Sequence, residues 1–247
     1  MSLNDPTRLR GSASRRSGPY LLGQIPDEVL VSIGRQLVHR LAVGVSDLTG
    51  DDFGTIFAEA IGGTHRARPL GVADVSWDGC AWSVKTVKDA RPLTKQTVRL
   101  ISGRNSPDYS LGISDPRANL DATGRAVLSV WNARVNEALD QYNELRIVVL
   151  MRNMETREFT IFEEEARQFV PTDYAWRLNP RRNIVGHERS DDHHQFTWQP
   201  HGSQFTIHRP VPGSARRFSI VPNVPMVSVS DILAAVSFRP DWIRVHG

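Results

Sequence analysis

The dipeptide Asp78-Gly79, inside the run Val72-Ala-Asp-Val-Ser-Trp-Asp-Gly-Cys-Ala-Trp-Ser-Val-Lys85, constrains this chain more than any other feature. Both central residues of a type I′ turn need positive φ, which Asp-Gly tolerates, so the run predicts a two-residue β-hairpin. The turn fixes the register: Trp77 faces Cys80, Val75 faces Trp82, and Asp74 faces Ser83. Side chains alternate along a strand, which gathers Asp74, Ser76, Ser83 and Lys85 on one face. Val75, Trp77 and Trp82 form the other, apolar face. A carboxylate, a hydroxyl and an ammonium therefore meet on two neighbouring strands.

Such a trio suits phosphodiester hydrolysis, which needs a divalent metal on oxygen ligands, a positioned water and relief of charge at phosphorus. Asp74 can hold Mg²⁺ and the backbone carbonyl of Val84 can add a ligand. Lys85 can orient or deprotonate the water and neutralise developing charge. The bland alternative is a cross-strand ion pair between Asp74 and Lys85, worth a few tenths to about 1 kcal/mol. Asp78 is explained by its turn. Cys80 reads as a small space-filler, with no base assigned to make it a nucleophile.

Around the hairpin the pattern is mixed α/β. Residues 1–20 are rich in Ser, Gly and Arg without apolar periodicity and read as a flexible basic arm. A single domain is expected over 21–247, with a core at about 47–170 and a β-rich C-terminal part at about 183–247. Val29, Leu30, Ile33, Leu37, Val38 and Leu41 recur at helical spacing after Pro26. Thr49 with Asp52 forms a capping box for a second helix, which Gly62-Gly63 ends. A further helix is expected beyond the hairpin, ending before Arg104, and a long amphipathic one over 123–144. The apolar run 146–152 reads as a strand covered on both faces, with 159–162 as its partner and 163–169 as a short helix. Residues 195–198 and 204–208 alternate as a hairpin. Residues 218–221 read as a strand and 230–236 as a closing helix.

Glu59 on the second helix, then Gly-Val-Ala-Asp74, the hairpin, and Trp-Ser-Val-Lys85 resemble the PD-(D/E)XK nuclease superfamily, and within it the type II restriction endonucleases. The resemblance covers about residues 47–90 plus the later helix and strand pair, and it implies a core of α-β-β-β-α-β order: a central mixed β-sheet flanked by helices. It further implies Asp74 as the metal-binding aspartate, Lys85 as the catalytic lysine and Glu59 as the helix carboxylate. Ala73 stands where the family often has Pro. Ser83 stands where a second acid is usual, as in a subgroup with Ser-x-Lys, and Glu59 becomes the candidate second metal ligand. The implied activity is Mg²⁺-dependent cleavage of double-stranded DNA at a specific sequence, leaving 5′-phosphate and 3′-hydroxyl ends. A palindromic target calls for a homodimer, with a tetramer as a further assembly.

The formal net charge of +3 does not make a uniformly basic coat, but Arg greatly outnumbers Lys, and Arg suits forked contacts with phosphates and guanine edges. Arg104 with Asn105 is the preferred DNA-reading element, Arg181-Arg182 the second, with Arg99 and Arg216-Arg217 as further basic elements. One cysteine excludes an internal disulfide and a zinc-finger cage. The Asp191-Asp-His-His194 cluster with His187, His201 and His208 fits no zinc spacing. No apolar run is long enough to cross a bilayer and no signal segment opens the chain, so no membrane partner and a cytoplasmic setting are expected. Two rivals remain: a repair or modification-dependent nuclease on the same core, and a non-catalytic DNA-binding protein that uses the hairpin as scaffold.

Overall fold

The computed structural model describes residues 18–66 and 72–246. Its first elements are the helices α1 (Asp27–Ala42) and α2 (Gly50–Ile61). The capping box at α2 forms as expected: Thr49 accepts from the Asp52 N–H and Asp52 accepts from the Thr49 N–H, while Gly62 closes the helix at φ 67°. Next come β1 (Thr64–His65), β2 (Val75–Trp77) and β3 (Cys80–Lys88). Asp78 and Gly79 take φ of 40° and 73°, and Val75 lies opposite Trp82 and Trp77 opposite Cys80, the register read from the turn.

β4 (Thr97–Arg104), α3 (Pro107–Leu111), α4 (Leu120–Leu139), β5 (Glu144–Asn153) and β6 (Glu158–Glu165) follow. The chain then runs through β7 (Tyr174–Leu178), β8 (Ile184–Glu188), β9 (His194–Gln199), β10 (Gln204–Pro210), β11 (Arg216–Ser219) and α5 (Val229–Ala235). Six strands form sheet A in the order β1-β2-β3-β5-β6-β11, and five form sheet B in the order β4-β10-β9-β8-β7. β3 and β5 are parallel, joined by the crossover through α4; the remaining pairs in both sheets are antiparallel. After α2 come β1, β2 and β3, but β4 and α3 intervene before α4 and β5, so the expected α-β-β-β-α-β order is interrupted; the fold is α/β with one mixed and one antiparallel sheet.

Sheet A is buried on both faces, each with its own core. Val75, Cys80, Trp82, Val84, Val148 and Leu150 pack against α1 and α2. Ala81, Leu145, Ile147, Val149 and Met151 turn the other way, toward α4 and sheet B. α4 comes close to β7 because Gly124 has no side chain: a Cβ there would lie 2.1 Å from the Trp176 indole.

Three local expectations change. Residues 97–104 are a strand rather than the end of a helix, because Val98 and Leu100 point into the core while Thr97, Arg99 and Ile101 point out. Residues 163–169 are not helical: β6 continues to Glu165, with two consecutive carboxylates held on opposite faces. Glu163 is buried with Arg146 (3.2 Å), the Tyr20 hydroxyl (2.8 Å) and the Trp82 indole N–H (2.7 Å). Glu164 pairs with Arg209 of sheet B at 2.9 Å. The hairpin β7–β8 was not anticipated. Of the basic arm, residues 1–17 lie outside the described residues, and Tyr20 is fastened to the sheet by its bond to Glu163. None of the described helices is long and apolar enough to cross a membrane.

Candidate active site

Asp74 immediately precedes β2, where that strand gives out and β3 runs on beside it. Its N–H donates to the Trp82 carbonyl (2.8 Å) and its carbonyl accepts from the Arg66 N–H (2.8 Å), so the main chain is held from both sides. Asp74 Oδ2 accepts from the Val84 N–H at 2.7 Å and, at 3.4 Å, from the Ser83 hydroxyl. Lys85 Nζ stands 3.9 Å from the same oxygen. Asp74 Oδ1 accepts no hydrogen bond from any described residue.

The two charged side chains are mostly enclosed, with 20% of Lys85 and 23% of Asp74 exposed. Burial pulls the Lys85 ammonium below the ordinary lysine range, and the facing Asp74 carboxylate opposes that shift without cancelling it. Ser83 is fully enclosed at 1% exposure. An extended residue directs its N–H and C=O toward the same neighbouring strand. The Val84 carbonyl therefore faces the Asp74 side, where no further residue of β2 pairs with it. The oxygen donors available here are a carboxylate, a carbonyl and a hydroxyl, a hard set that fits Mg²⁺ rather than a softer metal.

Glu59 is not brought to this cluster. α2 covers the sheet face opposite Asp74, Ser83 and Lys85, through Phe53, Ile56, Phe57 and Ile61. Glu59 itself is exposed and accepts a hydrogen bond from Gln36 of α1. Among the described residues no group of three or more His, Cys, Asp or Glu side chains is placed to share one ion.

The proposed DNA-reading residues separate into two kinds. Asn105 is completely buried and structural. Its amide donates to the Val127 carbonyl (2.9 Å), its side-chain oxygen accepts from Arg134 (2.7 Å), and its backbone carbonyl accepts from the Trp198 indole (2.8 Å). It cannot read a base, because its hydrogen-bonding groups are engaged inside the protein. Arg104 is exposed at the end of β4, opposite Gln204. Arg181 and Arg182 are exposed on the β7–β8 turn, at the same end of sheet B. Arg99 is exposed and lies opposite His208.

Sequence reasoning missed Arg134, which clamps the Arg104–Asn105 corner from α4, and a histidine stack beside Arg99. The His187 and His194 ring centroids are 5.1 Å apart, and those of His194 and His208 are 4.2 Å apart. Their nitrogens are taken up by protein groups: His187 meets the Asp192 carbonyl, His194 the Phe196 carbonyl, and His194 and His208 share the Thr197 hydroxyl, each at 3.0 Å. Burial, followed by the neighbouring His194 and Arg99, pushes His208 down to about 4. Cys80 is completely buried, and burial raises its thiol to about 12, consistent with a packing role. Alternation along 204–208 puts His208 on the face opposite Phe205 and Ile207, but nothing local shows that three imidazoles from three strands will line up.

The chain matches no protein-family model, and no curated protein or solved structure was found to match it.

Proposed function

We propose that this protein is a divalent-metal-dependent endonuclease acting on double-stranded DNA, in the manner of a type II restriction enzyme. The observation that carries the reading is the enclosed pair Asp74–Lys85 at 3.9 Å, at the point where β2 ends beside β3. The run α2-β1-β2-β3 and the parallel pairing of β3 with β5 support it. Mg²⁺ bound at Asp74 and the Val84 carbonyl would neutralise phosphate charge and acidify a water. The chain's own residues do the rest. Asp74 keeps Oδ1 open while the Val84 N–H fixes Oδ2. Lys85, partly stripped of water and with its pKa drawn down, stands ready to orient the attacking water and exchange its proton.

The hairpin supplies a single carboxylate. Mg²⁺ is ordinarily held by one or two carboxylates together with substrate phosphates and waters, so the DNA backbone becomes part of the site and metal affinity depends on DNA. Exposed Arg104, Arg181, Arg182 and Arg99 supply cationic contacts, some to phosphate and some to base edges. A homodimer would bring two such sites to a two-fold target. The single carboxylate also favours one rival reading, a DNA-binding protein in which Asp74–Lys85 is only an ion pair.

Plasmid DNA incubated with the protein and Mg²⁺, with EDTA as control, separates the readings. The expected result is discrete fragments, reduced by at least about 10²-fold in Asp74→Ala and in Lys85→Ala. Cutting confined to branched or modified DNA moves the assignment to a repair or modification-dependent nuclease. Binding without cleavage in any divalent metal refutes catalysis.

A further inference from the structure

The C-terminal 22 described residues are ordered yet enclose nothing: across 225–246 every side chain is exposed except Phe238, which is half-buried. α5 opens with a complete capping box, in which Ser228 accepts from the Asp231 N–H and Asp231 from the Ser228 N–H. Phe238 packs edge-on to Trp242 at 5.6 Å, giving the segment a small fold of its own. Its outer surface is apolar, with Val229 73%, Val236 52%, Trp242 56% and Ile243 67% exposed. A helix of seven residues does not hold itself in water, and most helical stability comes from packing an apolar face. The arm leaves the body at α1, where the Val227 N–H donates to the Ala42 carbonyl at 2.8 Å.

α1 carries the complementary surface. Leu30, Val31, Gly34 and Val38, with Phe218 and Ile220 at the end of β11, line an open apolar groove of about 380 Å³. Val31 is 54% and Val38 38% exposed. Nothing lies within 4 Å of where a Gly34 Cβ would be, so the floor of the groove is open at its middle.

We infer that the arm 228–245 of one chain docks in the α1–β11 groove of a second copy, and that the two copies exchange arms about a two-fold axis. Each copy has one arm and one groove, so reciprocal exchange covers both apolar surfaces and closes the assembly. The chain's own groove is not the site occupied, because the arm's apolar side chains are exposed rather than seated on α1. Val229, Val236, Trp242, Ile243 and Val245 of the arm are each more than half exposed, and reciprocal exchange covers two such arms and two grooves, set against the roughly 800 Å² of surface that each partner gives a stable interface. The inference stands on this geometry and does not depend on the nuclease reading.

Light scattering on the full chain at micromolar concentration tests it. The wild type is expected at twice the monomer mass. Val38→Asp in the groove and Ile243→Asp in the arm each place a charge at a position exposed in the single chain, so circular dichroism and melting are expected to stay unchanged. Each variant alone is expected to weaken dimerisation at least tenfold. Mixed together, they retain one intact arm and one intact groove between them, and the mixture is expected to associate more tightly than either variant alone. A monomeric wild type, including one whose arm folds onto its own groove, overturns the inference. So does a variant that dimerises as well as the wild type, or a mixture no tighter than its components.

Discussion

Replacing Lys85 with methionine keeps most of the side-chain volume and removes only the charge, which makes it a direct probe of what the Asp74–Lys85 pair does. At 3.9 Å and an effective dielectric of about 20, the attraction between the two charges is about 4 kcal/mol. Lys85 is nevertheless shifted toward its neutral form, so the loss of hydration outweighs that attraction. Removing the ammonium relieves the imbalance, while Asp74 keeps its bonds from the Val84 N–H and the Ser83 hydroxyl. Lys85→Met is therefore expected to stay within about 1 kcal/mol of wild type, because leaving Asp74 without its cation is costly but removing a desolvated ammonium offsets it. Asp74→Ala has no such offset. It strands an enclosed ammonium and the Val84 N–H together, for a loss of about 3–5 kcal/mol. Urea unfolding at neutral pH, with the slope checked for constancy, measures both. Because the folded pKa of Lys85 lies below its unfolded value, the unfolded chain binds the proton more tightly. Wild-type stability should thus rise as pH climbs through the folded value toward 10.5, and the methionine variant should lack that rise. If Lys85→Met lost more than about 1 kcal/mol, or more than Asp74→Ala, the pair would be an ordinary stabilising ion pair and the reasoning would fail.

Three further outcomes follow from the same structure. Asn105→Ala is expected to lower stability by about 2–3 kcal/mol in chemical denaturation, since it leaves the Val127 carbonyl and Arg134 without their partner. Arg104→Ala should stay within about 0.5 kcal/mol of wild type while reducing the salt slope of DNA binding by about 1 if it meets a phosphate. His208 is held near 4 in the fold, below its unfolded value of about 6.5, so the unfolded chain takes up the proton first. Stability is expected to be full above about 6.5 and to fall as pH drops toward 4, by about 1–2 kcal/mol after allowing for solvent access. In His208→Gln that acid-side loss should be absent from melting curves recorded across the same range.

The hairpin register was readable because it depends on two backbone dihedrals and a period of two, both local. The same holds for the α2 caps and for β5, whose all-apolar run matches a strand covered on both sides. Glu59 could not be placed that way. Its position on the helix was correct, but whether α2 lies on the Asp74 face or behind the sheet is decided by packing against Trp82, Val148 and α1. Residues 97–101 carried a clear in-out alternation, overridden by the expectation of a helix after the hairpin. Glu163 and Glu164 looked like helix surface because their buried partners, Arg146 and Arg209, come from β5 and from the other sheet. Asn105 looked like a base reader because its hydrogen-bond partners come from α4 and β9, far away in the chain.

The place of β4 at the border of sheet B has a consequence for synthesis. Among the described residues its one strand partner is β10, where Arg104 meets Gln204. As the chain leaves a ribosome, β4 emerges early and then waits about a hundred residues for that partner, roughly 5–20 s at ordinary elongation rates of about 5–20 residues per second. Throughout that interval Val98 and Leu100 have no sheet to enter, and a chain stopped before residue 204 never provides one. The C-terminal strands therefore complete a structure begun in the first half of the chain. Nascent protein halted anywhere between β4 and β10 should be a favoured substrate for chaperones and proteases.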